Sequence, residues 1–199
     1  MIIFHQMNGV EETELIQRLK RGDEVAFRTI VETWKDMVYN TVLGILQDPT
    51  EAEDVTQDVF IQVYESIGQF KGDAKFSTWL YRIAVTKSLD QLRRKKRKKR
   101  FAFLQSLFGV NEEEVRHDPG FFHPGVALEN KERSAELFKA INKLPENQKT
   151  AFLLHKVEGL SYQEVADVME TTVPSVESLM HRAKGNLRKS LARFYENQV

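Results

Sequence analysis

Apolar residues recur at three- or four-residue intervals through most of the chain, with charged and polar residues between them. This spacing places the apolar side chains on one face of an α-helix. No segment alternates apolar and polar residues over the length of a β-strand. The pattern therefore predicts an all-α protein.

Four helices are predicted in the N-terminal half. The first spans Glu11 to Lys20, and the second follows Gly22 with Asp23 as its cap. Thr50 and Glu53 have the spacing of a capping box that opens the third helix, and the fourth begins near Thr78 and ends in a basic run. The apolar stripes expected to form this core are Ala26, Phe27, Ile30, Val31, Trp34, Val38 and Val42, then Val55, Val59, Val63 and Ile67, then Leu80, Ile83, Ala84 and Leu89.

Helical periodicity returns in the C-terminal part. Helices are predicted near 128–143 and 147–157, and a second capping box at Ser161 and Glu164 opens a short helix, a four-residue turn and a longer helix. This order is typical of a helix-turn-helix. We expect two small helical domains, a four-helix unit at 10–100 and a helix-turn-helix domain at 129–199, joined by a flexible linker at 101–128.

The segment expected as a linker has prolines, glycines, an acidic triplet and no sustained period. Its five phenylalanines are many for a solvated tether. They either dock on a partner or pack on the helices of this chain.

Composition narrows the class of protein. The chain has 29 basic and 29 acidic residues and no cysteine, which excludes disulfides, cysteine-ligated zinc and thiol nucleophiles. Its start lacks the basic and apolar regions of a signal peptide, and no apolar run is long enough to span a membrane. We expect a cytoplasmic protein that does not insert into the membrane directly.

The zero net charge hides a strong local imbalance. All eight residues from Arg93 to Arg100 are basic, whereas residues 1–92 have 9 basic and 15 acidic residues. Adjacent cations repel one another, and binding to a polyanion relieves this repulsion. The alternative is a solvated basic end of a helix, where cations interact favourably with the helix dipole.

No catalytic or metal-binding motif is present. The chain has no glycine-rich phosphate loop, no H-E-x-x-H and no G-x-S-x-G, and its five histidines are scattered. The acidic triplet Glu112 to Glu114 is more typical of a solvated run than of a catalytic pair. We therefore expect no enzymatic activity, no cofactor and no metal site.

Two segments have the residue types that nucleic acids require. The last helix presents polar residues able to contact a major groove, although an ordinary exposed helix can have the same residues. The run from Phe76 to Arg82 interleaves aromatic, hydroxyl and basic side chains ahead of the cations, which suits a single strand. Trp79 taken alone is more typical of a core position than of a base contact.

Several runs together resemble the extracytoplasmic function (ECF) group of bacterial RNA polymerase sigma factors, in the sigma-70 family. The runs are EAEDVTQDVF at 51–60, FSTWLYRIA at 76–84, GLSYQEVADVM at 159–169 and the sequence from His181 to Ala183. They follow the family's order and spacing over nearly the whole chain. The resemblance implies a sigma-2-like and a sigma-4-like domain that bind core RNA polymerase and direct it to the −10 and −35 promoter elements.

The resemblance also implies site residues. The expected contacts with core polymerase are Asp54, Gln57, Asp58 and Ile61. The residues expected at the −10 element and its melting are Phe70, Lys71, Gly72, Phe76, Trp79, Arg82, Thr86, Lys87, Arg93 and Arg94, with Thr86 facing the pocket of a flipped base. The residues expected at the −35 element are Tyr162, Ser175, Glu177, Ser178, His181, Arg182 and Lys184.

The chain departs from the commonest family pattern in the last helix. Many members have Gly-Thr-Val-Lys-Ser-Arg where this chain has the run from Pro174 to Leu179, so two cations are missing. Glu177 is expected either to accept a hydrogen bond from a cytosine amino group or to pair with His181. The family also implies an anti-sigma factor partner, often membrane-bound, and a linker that threads toward the active-site channel of the polymerase. Because residues 101–129 have five acidic residues and one basic residue, we expect this segment to mimic nucleic acid in that channel.

Two other functions explain less of the chain. A free-standing helix-turn-helix regulator accounts for residues 145–195 and leaves EAEDVTQDVF and FSTWLYRIA without a role. A basic adaptor accounts for the cationic run alone.

Overall fold

The computed structural model describes residues 9–107 and 131–196, with side chains described for 9–100 and 135–192. The described residues form α-helices and one 3₁₀ turn, with no strand among them. The elements are α1 (Gly9–Lys20), α2 (Glu24–Leu46), α3 (Pro49–Ser66), the 3₁₀ turn (Ile67–Gln69), α4 (Phe76–Leu107), α5 (Lys131–Asn142), α6 (Glu146–Lys156), α7 (Tyr162–Val168) and α8 (Val173–Glu196). We call α1–α4 the N-terminal unit and α5–α8 the C-terminal unit. The all-α prediction is confirmed.

Local side chains set where α2 begins and ends. Asp23 accepts hydrogen bonds from the backbone N–H groups of Val25 and Ala26, as predicted for its cap. At the other end Gln47 adopts a left-handed conformation with φ of 55°, and its N–H donates to the carbonyl of Leu43. Such a residue ends a helix while satisfying one of its last carbonyls.

The start of α3 differs from the prediction. Asp48, and not Thr50, is the cap, because its carboxylate accepts from the N–H of Glu51. Pro49 occupies the first helical turn, where its missing N–H costs no hydrogen bond. An Asp-Pro step therefore begins this helix, and the capping-box interpretation of Thr50 and Glu53 was wrong.

The core of the N-terminal unit lies where α2, α3 and α4 pack together. One face of each helix is buried along most of the predicted stripes, and α1 covers one side with Leu15, Ile16 and Leu19. The stripe residues that are only partly buried are Phe27, Val31, Ile83 and Leu89. The most deeply buried apolar residues of the three main helices are Ala26, Ile30, Val38, Val42, Ile45, Ala52, Val59, Val63, Phe76, Leu80 and Ala84.

The C-terminal unit is a helix-turn-helix supported by two further helices. Ser161 and Glu164 form the predicted capping box at the start of α7, and residues 169–172 connect α7 to α8. Val165, Ala166, Val176, Met180 and Ala183 are buried between the two helices and their supports. The predicted motif is therefore present in the structure.

The helix α4 is longer than the sequence pattern suggested. It continues through the eight cations to Leu107, seven residues into the segment expected to be a linker. Lysine and arginine are good helix formers, and no glycine or proline occurs between Asp73 and Phe108 to end the helix. The rest of that segment, including its acidic triplet and later phenylalanines, lies outside the described residues.

Replacement of Ser161 by alanine is expected to lower the free energy of unfolding by about 1 kcal/mol, because one cap hydrogen bond at the start of α7 is lost. Urea unfolding followed by circular dichroism measures the change. Ser178→Ala, at an exposed interior position of α8, is the matched control and should leave the stability nearly unchanged. Equal stability of the two variants would contradict a role for the capping box.

Candidate polymerase and nucleic-acid interfaces

One face of α3 is open to solvent. Asp54, Gln57, Asp58 and Ile61 are all exposed, and the exposed fraction of Ile61 is 55%. Their spacing places them in one row along the helix. A single exposed isoleucine is ordinary on a protein surface, so its meaning depends on the apolar residues beside it.

The same row continues into an apolar groove between α2 and α3. Phe27, Val31, Ile61 and Tyr64 line it, with charged residues at its rim, and its volume is about 540 Å³. The rings of Phe27 and Tyr64 meet edge to face with centroids 5.1 Å apart. The sequence stripe assigned Phe27 and Val31 to the core and missed Tyr64, although Tyr64 follows Ile61 by one helical turn.

An aromatic cluster lies at the start of α4. The ring centroid of Phe70 lies 5.5 Å from that of Phe76 and 5.3 Å from that of Trp79. The ring centroids of Phe76 and Trp34 are 5.2 Å apart. Lys20 donates a hydrogen bond to the carbonyl of Phe70 at 2.6 Å. Phe70 and Trp79 are partly exposed, so their rings are available to a base at the rim of the cluster.

Phe76 does not fit its predicted contact with DNA. Its exposed fraction is 1%, and it is enclosed by Trp34, Phe70 and Trp79. Its ring supports the two aromatic residues at the surface from behind. Trp34 and Lys20 perform related supporting roles, and neither was assigned to this site from the sequence, because their contacts join residues far apart in the chain.

A cleft of about 310 Å³ runs beside this cluster along α4. Trp79, Arg82, Thr86 and Lys87 line it on the α4 side, so four of the residues expected at the −10 element lie together. Lys71 and Gly72 are exposed in the preceding loop, where Gly72 has a φ of 84° that favours glycine. Neither they nor Phe70 line the cleft, so the structure places Thr86 with Trp79 and not with the loop.

The cationic run is partly neutralised within the protein. Lys95 contacts Glu51 at 2.8 Å and Asp48 at 3.6 Å, Arg93 pairs with Asp90, and Lys96 pairs with Glu146 of the C-terminal unit. Arg94 and the four residues from Arg97 to Arg100 are exposed. The run is thus neither wholly free nor wholly engaged, and Lys95 serves the packing of α4 against α3.

The outer face of α8 is accessible. The side chains of Ser175, Glu177, Ser178, His181, Arg182 and Lys184 are all exposed. Glu177 and His181 are not joined by an ion pair or a hydrogen bond, so the carboxylate remains available as an acceptor. Tyr162 is partly buried at the start of α7, where its ring lies 4.6 Å from His155.

Comparisons with known proteins identify the family of the chain. A sequence model described as Sigma-70 region 2 matches residues 30–98, and one described as Sigma-70, region 4 matches residues 134–187. The chain is 32% identical to the RNA polymerase sigma-H factor of Pseudomonas aeruginosa, over 91% of this chain and 94% of that protein. It is 34% identical to the ECF RNA polymerase sigma factor SigW of Bacillus subtilis, over 88% and 94%. The chain belongs to the ECF group of RNA polymerase sigma factors.

Two solved structures share the fold of this sigma factor. One is CnrH in complex with the cytosolic domain of CnrY, with a TM-score of 0.63, 22% identity and coverage of 90% of this chain and 96% of that chain. The other is the sigma factor RpoE of Bartonella quintana in complex with the anti-sigma factor NepR, with a TM-score of 0.62, 22% identity and coverage of 83% and 96%.

The described part of this sigma factor contains no group of three or more metal-ligating side chains, and none of its described helices is both long and apolar enough to cross a membrane.

Polar contacts join the two units of the sigma factor. Lys149 is 4% exposed and donates to the carbonyl of Ile45 at the end of α2, at 2.9 Å. Burial lowers the pKa of Lys149 to about 8. Gln47 donates to the carbonyl of Phe138 at 3.2 Å. These contacts seal the end of α2 against α5 and α6.

A second set of contacts joins α4 to the helix-turn-helix. Arg82 donates to the carbonyl of Asp167 at 2.8 Å, where α7 ends, and lies 3.7 Å from Glu170. The hydroxyl of Tyr81 donates to Glu158 at 3.3 Å. Burial raises the pKa of Glu158 to about 7, although the hydrogen bond from Tyr81 acts in the opposite direction.

The stability of this sigma factor is expected to depend on pH through Glu158. Because its pKa is raised by folding, the carboxyl favours the folded state below pH 4.5, and this contribution is lost as pH rises to about 7. Relative to Glu158→Gln, the free energy of unfolding should fall over that interval by at most about 3 kcal/mol, since solvent reaches part of the carboxyl. Urea unfolding at several pH values measures the difference.

Glu32→Gln removes an exposed carboxyl from α2 and controls for the loss of one negative charge. Parallel pH profiles for wild type and Glu158→Gln would show that Glu158 does not bind an extra proton on folding.

Proposed function

We propose that this sigma factor binds core RNA polymerase through α3, holds the opened −10 strand against α4, and reads the −35 element with α8. The supporting observation is that six predicted −35 residues are exposed on α8 of a capped helix-turn-helix, while the N-terminal unit presents a separate aromatic and cationic surface. One surface suits a duplex groove and the other a single strand.

The proposed polymerase surface consists of Asp54, Gln57, Asp58 and Ile61 with the groove beside them. A row of exposed acids ending in an apolar groove supplies both charge complementarity and burial of Ile61 and Tyr64. A free-standing regulator would leave this surface without a partner.

The proposed −10 surface consists of Phe70, Lys71, Gly72, Trp79, Arg82, Thr86, Lys87, Arg93 and Arg94. Partly exposed aromatic rings give a base a stacking surface, and the cations along α4 offer positions for phosphates. Phe76 is left out of direct contact because it is buried. Removing a base from the stack costs a few kcal/mol, which stacking and polymerase binding must offset.

The proposed −35 surface consists of Ser175, Glu177, Ser178, His181, Arg182 and Lys184, with Tyr162 nearer the DNA backbone. We propose the same domain boundaries as the sequence predicts: a sigma-2-like domain at 10–100, a linker at 101–128 and a sigma-4-like domain at 129–199. The family acts as transcription initiation factors, and we propose that this member has no catalytic activity of its own and acts in the cytoplasm with RNA polymerase.

We also propose an anti-sigma factor as a partner. The support is the likeness in fold to CnrH and RpoE, each of which is solved as a complex with another protein. Such an inhibitor could act on the groove beside Ile61, which is open to solvent, or on the cleft beside Trp79, which lies at the boundary of the two units.

Run-off transcription tests the function. Purified core RNA polymerase and a pool of bacterial promoter fragments should yield transcripts that require this protein and share one −35/−10 pair. Ile61→Arg should reduce both the transcripts and binding to core at least tenfold, because a cation replaces an apolar contact in an acidic row. Val10→Arg changes another exposed apolar residue, on α1, and should have little effect.

Absence of binding to core by the wild-type protein, with tight binding of a defined duplex site by the protein alone, would instead support the free-standing regulator.

Two substitutions on α8 are expected to act differently on the −35 element. Arg182→Ala should weaken binding to all −35 sequences, because a phosphate contact has no base preference. Glu177→Ala should change the preferred base, because a carboxylate accepts from the cytosine amino group. Transcription from a library of promoter variants measures both, and an unchanged base preference in Glu177→Ala would contradict its role.

A further inference from the structure

Three cations of the N-terminal unit are paired with carboxylates of the C-terminal unit. Lys75 donates to Glu164 at 2.9 Å, Arg82 lies 3.7 Å from Glu170, and Lys96 pairs with Glu146. The partners of these cations come from α6, from α7 and from the turn that precedes α8. The acidic side of the C-terminal unit therefore lies against the cationic side of α4.

The contact between Lys75 and Glu164 favours the charged form of both side chains. The hydrogen bond from Lys75 holds the pKa of Glu164 at about 2, and the pKa of Lys75 is raised by the same bond. Both side chains retain access to solvent, so the pair can separate without leaving a buried charge.

These contacts also close one side of the proposed strand-binding cleft. Glu170 lines the cleft opposite Trp79, Thr86 and Lys87. A second cleft, of about 200 Å³, continues between α4 and the C-terminal unit, with Val168 and Met169 on its far wall. A single strand that follows α4 must therefore displace Glu170 and its neighbours.

The outer face of α8 is not covered by the same contacts. Its six proposed −35 residues are exposed, whereas Arg82 and Thr86 line both clefts beside the C-terminal unit and Lys87 lines the first of them with Glu170. Closure thus affects the two proposed DNA surfaces unequally.

We propose that Glu146, Glu164 and Glu170 occupy the positions of DNA phosphates on the N-terminal unit, so that the closed protein withholds the −10 strand surface while its −35 helix stays accessible. The proposal rests on the proposed function, since it takes the cleft to be the strand-binding surface. It adds Lys75 and Lys96 to the phosphate-binding residues. Opening then exchanges each carboxylate for a phosphate at the same cation, and each cation keeps an anionic partner in both states.

The test variant is Glu146→Gln/Glu164→Gln/Glu170→Gln in the full chain. Glutamine retains the capping box at position 164, so α7 keeps its start. The control, Glu14→Gln/Glu32→Gln/Glu136→Gln, has the same net charge and changes carboxylates that do not contact the opposite unit. Fluorescence polarisation with a labelled 20-nucleotide single-stranded DNA of mixed sequence is expected to show at least fivefold tighter binding by the test variant than by the control.

Lys75→Gln in the test variant should remove part of this gain, because position 75 then has no positive charge to contact a phosphate of the strand. Equal binding by the test and control variants would overturn the proposal.

A distance measurement checks closure without DNA. The chain has no cysteine, so Asp73→Cys and Gln163→Cys introduce two labelling sites near the Lys75–Glu164 pair. Pulsed electron paramagnetic resonance of spin labels should give one short distance in the otherwise wild-type chain and a broad distribution in the test variant. A broad distribution in the wild type, or a short one in both, would overturn the proposal.

A cleavable bismaleimide crosslink between the same cysteines gives the reverse test. Crosslinking should abolish binding of the single strand, and cleavage should restore it. Run-off transcription distinguishes the failure of this proposal from the failure of the proposed function. If the wild type drives transcription and the test variant gains no strand binding, only the masking of the strand surface is wrong. If the wild type neither binds core RNA polymerase nor drives transcription, both the proposed function and the masking are overturned.

Discussion

Burial of one face of α4 is the constraint on which both the fold and the proposed strand site depend. Phe76, Leu80, Ala84 and Ser88, each four residues from the next, are at most 1% exposed. Because these four residues face α2 and α3, the residues on the other sides of α4 must point away from the core. The direction of Arg82, Thr86 and Lys87 is therefore set by core packing, and a helix turned by one residue would lose the core and the site together.

The two units complete each other's helix ends. The last carbonyls of a helix lack partners within it and carry partial negative charge. Lys149 of the C-terminal unit donates to the end of α2, and Arg82 of the N-terminal unit donates to the end of α7. Each unit thus supplies a cation to a helix of the other. The interface combines these contacts with buried apolar residues, as interfaces between domains of one chain commonly do.

Features with a local cause are predictable from the sequence. The stripes of α2, α3 and α4, the cap at Asp23 and the capping box at Ser161 depend on residues a few positions apart, and the structure confirms them. The start of α3 is ambiguous in the sequence because Asp48 and Thr50 are both possible caps. The end of α4 lies beyond the cations because lysine and arginine favour the helix despite their mutual repulsion. The resemblance placed Thr86 opposite the loop at Phe70, whereas Thr86 lines the cleft with Trp79. The burial of Phe76 depends on Trp34, and the partners of Arg82 and Lys96 lie in the other unit. No local pattern contains such contacts.

The unbroken course of α4 makes it a molecular ruler. Trp79 and Arg94 lie fifteen residues apart on one helix, and at 1.5 Å per residue this corresponds to about 22 Å. A duplex rises 3.4 Å per base pair, so the interval matches about six or seven base pairs. Within the N-terminal unit, the distance from the aromatic cluster to the first exposed cations is consequently set by a rigid rod. In the proposed complex, the length of this helix sets the spacing between the stacked base and the phosphates bound by the cations. Inserting or deleting one helical turn would change that spacing.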